Sequence, residues 1–259
     1  SPETAAASAL TGKITDPRDL EKLYDMKYPK WEAPELHIIN TDMLVAPPED
    51  SSNLELKKGP NIASIPHIDE LQNKYEVPVQ LKMGDNVSTD EILKAGAEVL
   101  PFRSNLPEIS KYSYTVIDPT FYDRAMKSKD QYGGHIVVAG ANYAQGSSRE
   151  HAALAPKYLG QVAVLAKSYA RIAWQNLVNF GILPLEFENN DDYEKIEQGD
   201  IIQFKNLRED VKNRNTILVI IKKESGTIEI PTKHSMSERQ IRILLKGGII
   251  NDFKDRLSA

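Results

Sequence analysis

The sequence predicts an α/β fold: a mixed β core with parallel βαβ crossovers, an antiparallel hairpin, and helices outside. Three observations carry this. Two short, mainly apolar runs, His135 to Ala139 and Gln161 to Ala166, each follow a glycine and suit strands buried on both faces of a parallel sheet. Each leads into a segment with helical spacing, His151 to Tyr158 and Tyr169 to Phe180, and then into another strand pattern, so parallel pairing with right-handed crossovers is expected. Near the C-terminus, Thr216 to Lys222 and Thr227 to Pro231 flank Ser225-Gly226 as a hairpin would.

Taken in order, Pro2 to Leu10 reads as a helix with Ser1 as its N-cap, and Asp16 to Met26 as a second short helix. Tyr28 to Asp50 contains Pro29, Pro34, Pro47 and Pro48 without a sustained period, and reads as an arm. Long structureless stretches are uncommon inside compact domains. The arm is therefore expected to link domains or lie on a neighbouring surface, with Trp31, Leu36, Ile38, Ile39, Met43 and Leu44 seeking a partner there. This places linker and arm over residues 1–75 and the folded domain over 76–259.

Val77 to Met83 alternates as a strand, and Pro78 limits it to a sheet edge or a strand start. Gly84-Asp85-Asn86 then turns, and Asp90 is the expected cap of a short helix from Glu91 to Ala95. Pro101 to Asn105 reads as a loop, and Asp118 to Lys127 as a helix begun by Asp118-Pro119. After the strand at His135 comes a glycine-spaced loop, Gly140 to Gly146, then Ser147-Ser148-Arg149-Glu150 and the helix. Two hydroxyls, a guanidinium and the free amides of a helix start suit a carboxylate or phosphate; a serine there equally suits an N-cap.

Gly181 suits a helix end before the strand Ile182 to Leu185. Loops at the carboxyl ends of parallel strands gather, so Gly140 to Arg149 and Lys167-Ser168 are expected to share a cleft. Arg171 and Asn176 read as solvated helix positions and Trp174 as packing. A short helix at Tyr193 to Ile196, a strand at Ile201 to Phe204 and a terminal helix at Ser237 to Lys246 complete the scaffold.

A net charge of −5 and a pI near 5.6 argue against a nucleic-acid surface as the main role. No apolar run is long enough to span a bilayer, and the opening residues lack signal-peptide character, so a cytoplasmic setting is expected. The absence of cysteine excludes disulfides, a thiol nucleophile and thiolate ligation of iron by this chain. The histidines, His37, His67, His135, His151 and His234, lack metal-ligand spacing.

Five blocks in order resemble aconitase: KGPNI from Lys58, GDNVSTDEI from Gly84, LPFRSN from Leu100, GANYAQGSSREHAALAPKYLG from Gly140, and KSYARIAWQNLVNFGILPL from Lys167. They are similar to its C-terminal swivel (β/β/α) domain, and SPETAAASALTG resembles the end of the preceding domain. The resemblance implies a mobile domain that closes over a 4Fe-4S cluster held by upstream domains of the same polypeptide or by a large subunit. It further implies a hydro-lyase of the tricarboxylic acid cycle, interconverting citrate and isocitrate through cis-aconitate, with the cluster as Lewis acid. Ser147 would be the base, its alkoxide stabilised by local amides and cations. Ser148, Arg149 and Arg103 would bind substrate carboxylates, and Asp90 would support the catalytic group. The chain alone would bind no cluster and be inactive.

Two departures stand out: Glu91 occupies the family's usual histidine position, and Ala173-Trp174 replaces the ARIHxxN pattern. Alternatives are the small subunit of a two-chain isopropylmalate or homoaconitate dehydratase, and an RNA-binding regulatory module. A plain phosphate-binding loop ranks below both, since the GxxxxGK[ST] spacing is absent.

Overall fold

The structure, a computed structural model, describes every residue except 28, 29, 31, 34, 36–39, 224, 225 and 259. The chain forms two compact units, Ser1–Glu55 and Leu56–Ala259.

In the first unit, helix α1 (Pro2–Thr11) starts as expected, with Ser1 Oγ accepting the Thr4 amide at 3.2 Å. The single helix expected over Asp16 to Met26 is instead a 3₁₀ turn, Pro17–Asp19, followed by α2 (Leu20–Tyr24). The Asp16 carboxylate caps the Arg18 amide and tightens the first turn, and Asp25 in the left-handed region ends the helix. Between Asp25 and Lys74 the described residues contain neither helix nor strand. Met43 and Leu44 are exposed; Trp31, Leu36, Ile38 and Ile39 lie outside the described residues.

The second unit runs β1 (Tyr75–Lys82), α3 (Thr89–Ile92), α4 (Leu106–Ser110), α5 (Phe121–Tyr132), β2 (His135–Ala139), α6 (His151–Tyr158), β3 (Gln161–Ala166), α7 (Arg171–Asn179) and β4 (Leu183–Phe187). It continues with β5 (Ile201–Phe204), α8 (Leu207–Asn213), β6 (Ile217–Lys223), β7 (Gly226–Lys233), α9 (Glu238–Leu245) and α10 (Ile249–Ser258). The α/β class with a mixed sheet is as predicted. Strands β1 to β4 are parallel neighbours, and the remaining pairings are antiparallel. The sheet closes into a barrel in the order β1-β2-β3-β4-β7-β6-β5.

Closure corrects the expectation that Pro78 marks an edge. Strand β1 is paired on both sides: Tyr75 to Pro78 with β5, and Val79 onward with β2. Pro78 sits where one ladder ends and the other begins, so its missing N–H coincides with the changeover.

Both faces of β2 and β3 are buried, which is why these strands read as apolar runs. Ile136, Val138, Ala163 and Leu165 join residues of all seven strands in the barrel interior, including Ile202, Val219 and Ile230. Val137, Ala139, Val164 and Ala166 face the other way, beneath Phe121, Ala153, Leu159 and Leu177 of the outer segments. Trp174 packs against the barrel-side cluster, as expected.

Several boundaries move for local reasons. The helix expected from Asp118 begins at Phe121, because the Asp118 carboxylate accepts the Thr120 amide at 2.8 Å and closes a turn first. The segment near Tyr193 is a 3₁₀ helix, Asn190–Lys195, and the terminal helix closes its capping box with Gln240. Strands β6 and β7 form the expected hairpin; its turn residue Ser225 lies outside the described residues.

Candidate functional site

Three loops leave the carboxyl ends of β1, β2 and β3 and lock together through hydrogen bonds from their backbone amides. The Gly140 amide donates to Met83 O at 3.1 Å, and the Ala141 amide to Asp85 Oδ1 at 2.6 Å. The Gln145 amide reaches Val87 O at 3.0 Å, and the Thr89 amide returns to Gln145 O at 2.9 Å. On the other side, the Asn142 amide donates to Ser168 Oγ at 2.8 Å, and the Tyr143 amide to Ser168 O at 3.0 Å. The Gly140 to Arg149 loop and Lys167-Ser168 therefore adjoin, as parallel topology predicts. Gly140 is required by space: a Cβ there would lie 2.0 Å from Asp85 Oδ1 and 2.8 Å from the Asp85 amide.

Within this frame Arg149 occupies the centre. Its Nη1 donates to Asp90 Oδ1 at 2.5 Å and to Leu93 O at 3.2 Å, tying the loop to α3. The Arg149 hydrogen bond holds the Asp90 carboxyl below the ordinary carboxylate range. Asp90 is thus a partner of Arg149 and does not cap α3. The cap is Ser88, in a reciprocal box with Glu91, whose carboxylate accepts the Ser88 amide at 2.7 Å. Glu91, in the position of the family's histidine, is a helix-start residue here.

Arg149 also lines two recesses. One, of about 10 Å³, lies among Thr89, Tyr143, Ser147, Arg149, Ala173 and Asn176. The other, of about 140 Å³, is lined by Leu93, Leu100, Arg103, Ser148, Arg149 and His151. The structure thus brings Ser147 and Arg149 together on one side, and Ser148, Arg149 and Arg103 on the other. Arg103 is mostly exposed, with Nη2 3.8 Å from Glu150 Oε1, and its carbonyl accepts from His151 Nε2 at 2.8 Å. Neither the Ser147 nor the Ser148 hydroxyl has a hydrogen-bond partner among the described residues, and both are exposed.

The helix start differs from the simple expectation. Residue Glu150 precedes α6 without a side-chain cap, so neither serine is an N-cap. The first amides are partly used: Ala152 donates to Arg149 O at 3.1 Å and Ala153 to Glu150 O at 3.0 Å. The amides of Ser148, Glu150 and His151 have no acceptor among the described residues, which leaves donors and the helix dipole for an anion at the loop.

Asn176 is the residue that sequence reasoning passed over. It was expected on a solvated face of α7, yet it lines the recess with Ser147. The available signal was its place three residues beyond Ala173, on the face of α7 that turns toward the loop after β2. At the opposite end of the barrel, a recess of about 120 Å³ holds Lys129, Lys157 and Gln161 and none of the predicted site residues. No group of three His, Asp or Glu side chains converges among the described residues.

Residues 84–190 match the family model of the aconitase C-terminal domain. The mitochondrial homocitrate dehydratase of Saccharomyces cerevisiae is 35% identical over 79% of this chain and 29% of its own length. The mitochondrial aconitate hydratase of the same yeast is 30% identical over 81% of this chain and 30% of its own length. Among solved structures, the 3-isopropylmalate dehydratase of Methanocaldococcus jannaschii is 31% identical; the match covers 71% of this chain and 95% of that chain with a TM-score of 0.53. The chain spans about three tenths of the length of the curated relatives it matches. From the matched loops and the barrel that carries them, the chain belongs to the aconitase C-terminal domain family.

Proposed function

We propose that this chain is the swivel domain of a hydro-lyase that removes and re-adds water on a hydroxy-polycarboxylate. The observation that carries the reading is the position of Arg149, bordered by Ser147 on one side and by Ser148 and Arg103 on the other. A substrate with several carboxylates needs fixed cations around a base, and this loop has that composition.

In this reading Ser147 Oγ takes the proton from the carbon next to a carboxylate. Its exposed hydroxyl is unengaged, and Arg149 and the free amides of Ser148 and Glu150 are the donors available to an alkoxide. Arg149 and Arg103 bind carboxylates, and Ser148 donates a further hydrogen bond. Asp90 holds the Arg149 guanidinium in place until substrate competes for it.

A 4Fe-4S cluster belongs, on this reading, to segments of the complete enzyme beyond this chain. The chain has no cysteine, and its described histidines and carboxylates do not converge, so its residues do not fit as the cluster's holder. Residues 1–75 are proposed as the linker and arm that meet those cluster-bearing domains, and 76–259 as the swivel domain. Aconitate hydratase, acting on citrate and isocitrate, is the proposed activity; homocitrate dehydratase names a relative with a longer acid.

The test is Ser147→Ala in the complete enzyme. Turnover is expected to fall by at least about 10²-fold with KM nearly unchanged, because a base acts in the transition state. A change confined to KM would make Ser147 a ligand only. A second reading, a free small subunit, is favoured by the 95% coverage of the solved dehydratase. An immunoblot of the source cell separates the two: a band several times longer than this chain supports a single polypeptide, and a band at its own length supports a subunit.

A further inference from the structure

Beneath the serine loop lies a buried chain of polar groups that the reaction scheme does not use. Tyr114 and Tyr143 are fully buried, with their hydroxyl oxygens 2.7 Å apart, and Tyr114 Oη donates to Gln161 Oε1 at 3.1 Å. Tyr143 belongs to the loop itself, four residues before Ser147, and its ring packs edge-on against Tyr169 at 5.9 Å. The Tyr169 hydroxyl in turn lies 2.8 Å from the carbonyls of both Val164 in β3 and Leu185 in β4 and shares its one proton between them. The loop tip is thereby fixed to the barrel from inside.

Tyr114 adds an unusual backbone. Its φ is +56°, a left-handed conformation that a bulky aromatic rarely adopts and that persists only where the surroundings over-determine it. Those surroundings belong to the other half of the site. The Tyr114 amide donates to Ile92 O at 2.7 Å, and Ser113 bridges to Leu93, whose carbonyl accepts Arg149 Nη1. The segment Ser113-Tyr114 therefore touches the end of α3 by its backbone and the serine loop by its side chain. Within the loop, Asn142 and Ala144 on either side of Tyr143 are also left-handed, so its curvature depends on what holds Tyr143.

We propose that Tyr114 and Tyr143 are positioning residues whose buried hydroxyl pair sets the register of the serine loop against α3, and with it the placement of Ser147 relative to Arg149 and Asp90. The proposal rests on the reading of Ser147 as the base only for its kinetic consequence; the structural part stands apart from it. Burial pushes both phenols above their ordinary range, so both keep their protons and the pair persists across neutral pH.

The test is a cycle of Tyr114→Phe, Tyr143→Phe and the double variant, which keep both rings. In this chain, hydrogen exchange of the amides from Gln145 to Arg149 is expected to quicken about two- to tenfold in Tyr143→Phe, the loss of one buried hydrogen bond. Tyr114→Phe should quicken it more, since Gln161 Oε1 loses its donor as well. The double variant should go no further than Tyr114→Phe, because the two hydroxyls share one bond. Exchange in β3 and α5 should stay unchanged. In the complete enzyme the same variants should lower kcat by about 5- to 100-fold with KM within about twofold. Unchanged loop exchange, singles that multiply in the double, or acceleration spread evenly over the barrel would each overturn the proposal. If loop exchange responds as expected while Ser147→Ala leaves turnover intact, the anchor stands and the reading of Ser147 as the base fails.

Discussion

His135 offers a stability prediction whose size follows from its surroundings. It begins β2 with no exposed surface, its ring is edge-on to Phe121 at 5.5 Å, and neither ring nitrogen has a hydrogen-bond partner among the described residues. Burial, with a smaller contribution from the Arg124 charge, lowers its pKa from 6.5 to about 3. The folded state therefore binds this proton more weakly than the unfolded chain, so stability is present above pH 6.5 and is lost as pH falls toward 3. Each pH unit inside that window costs about 1.4 kcal/mol, so passing from pH 7 to 4.5 removes about 2.5 kcal/mol through this residue alone. His135→Leu removes the titration while keeping an apolar side chain in the core. Urea unfolding of both proteins at pH 7 and 4.5 is the assay. The variant is expected to lose about 2.5 kcal/mol less than the parent between the two pH values; carboxylates contribute to both and cancel. It should also be no less stable at pH 7, because two unpartnered ring nitrogens leave the core. Equal losses in the two proteins would refute the assignment of a neutral, desolvated His135.

Two further outcomes test the loops. Gly140→Ala should unfold at lower urea by about 2 kcal/mol or more, and the change should be felt at Asp85, because the clash is with Asp85 backbone as well as its side chain; an unchanged midpoint would remove the close-approach argument. Asp90→Asn removes the charge that engages Arg149 at an exposed position, so stability should move by no more than about 0.5 kcal/mol. On the proposed function, the same variant in the complete enzyme should alter KM for the substrate, and steady-state kinetics with KM and kcat both unchanged would show that Asp90 does not hold Arg149 for substrate.

The strands at His135, Gln161 and Ile201 and the helix at His151 were legible to the residue. Their signals are local: a run of apolar side chains bounded by glycine, or a period of 3.6. Helices α8 and α10 went unread for the opposite reason. Leu207–Asn213 is largely charged, and the Gly247-Gly248 pair before Ile249 looks like an ending, although both glycines take positive φ to turn one helix into the next. Among the site residues, Asp90 was placed at the right loop with the wrong task. Its nearest sequence neighbours suggested a cap, and only the fold brings Arg149, fifty-nine residues away, onto its carboxylate.

By itself the sequence determined the α/β class, the order of the parallel crossovers, the glycine-spaced loop with its serines and arginine, and the inability of this chain to supply thiolates. All of these depend on residue type and short spacing. The tertiary structure decided that the sheet closes into a barrel, that Pro78 lies between two ladders, that Asn176 lines one recess with Ser147, and that Tyr114 reaches beneath the loop to Tyr143. Each of these is a pairing between segments distant in the chain. Such pairings are set by which buried surfaces fit and which polar groups find partners once the core has formed, and no local pattern encodes them.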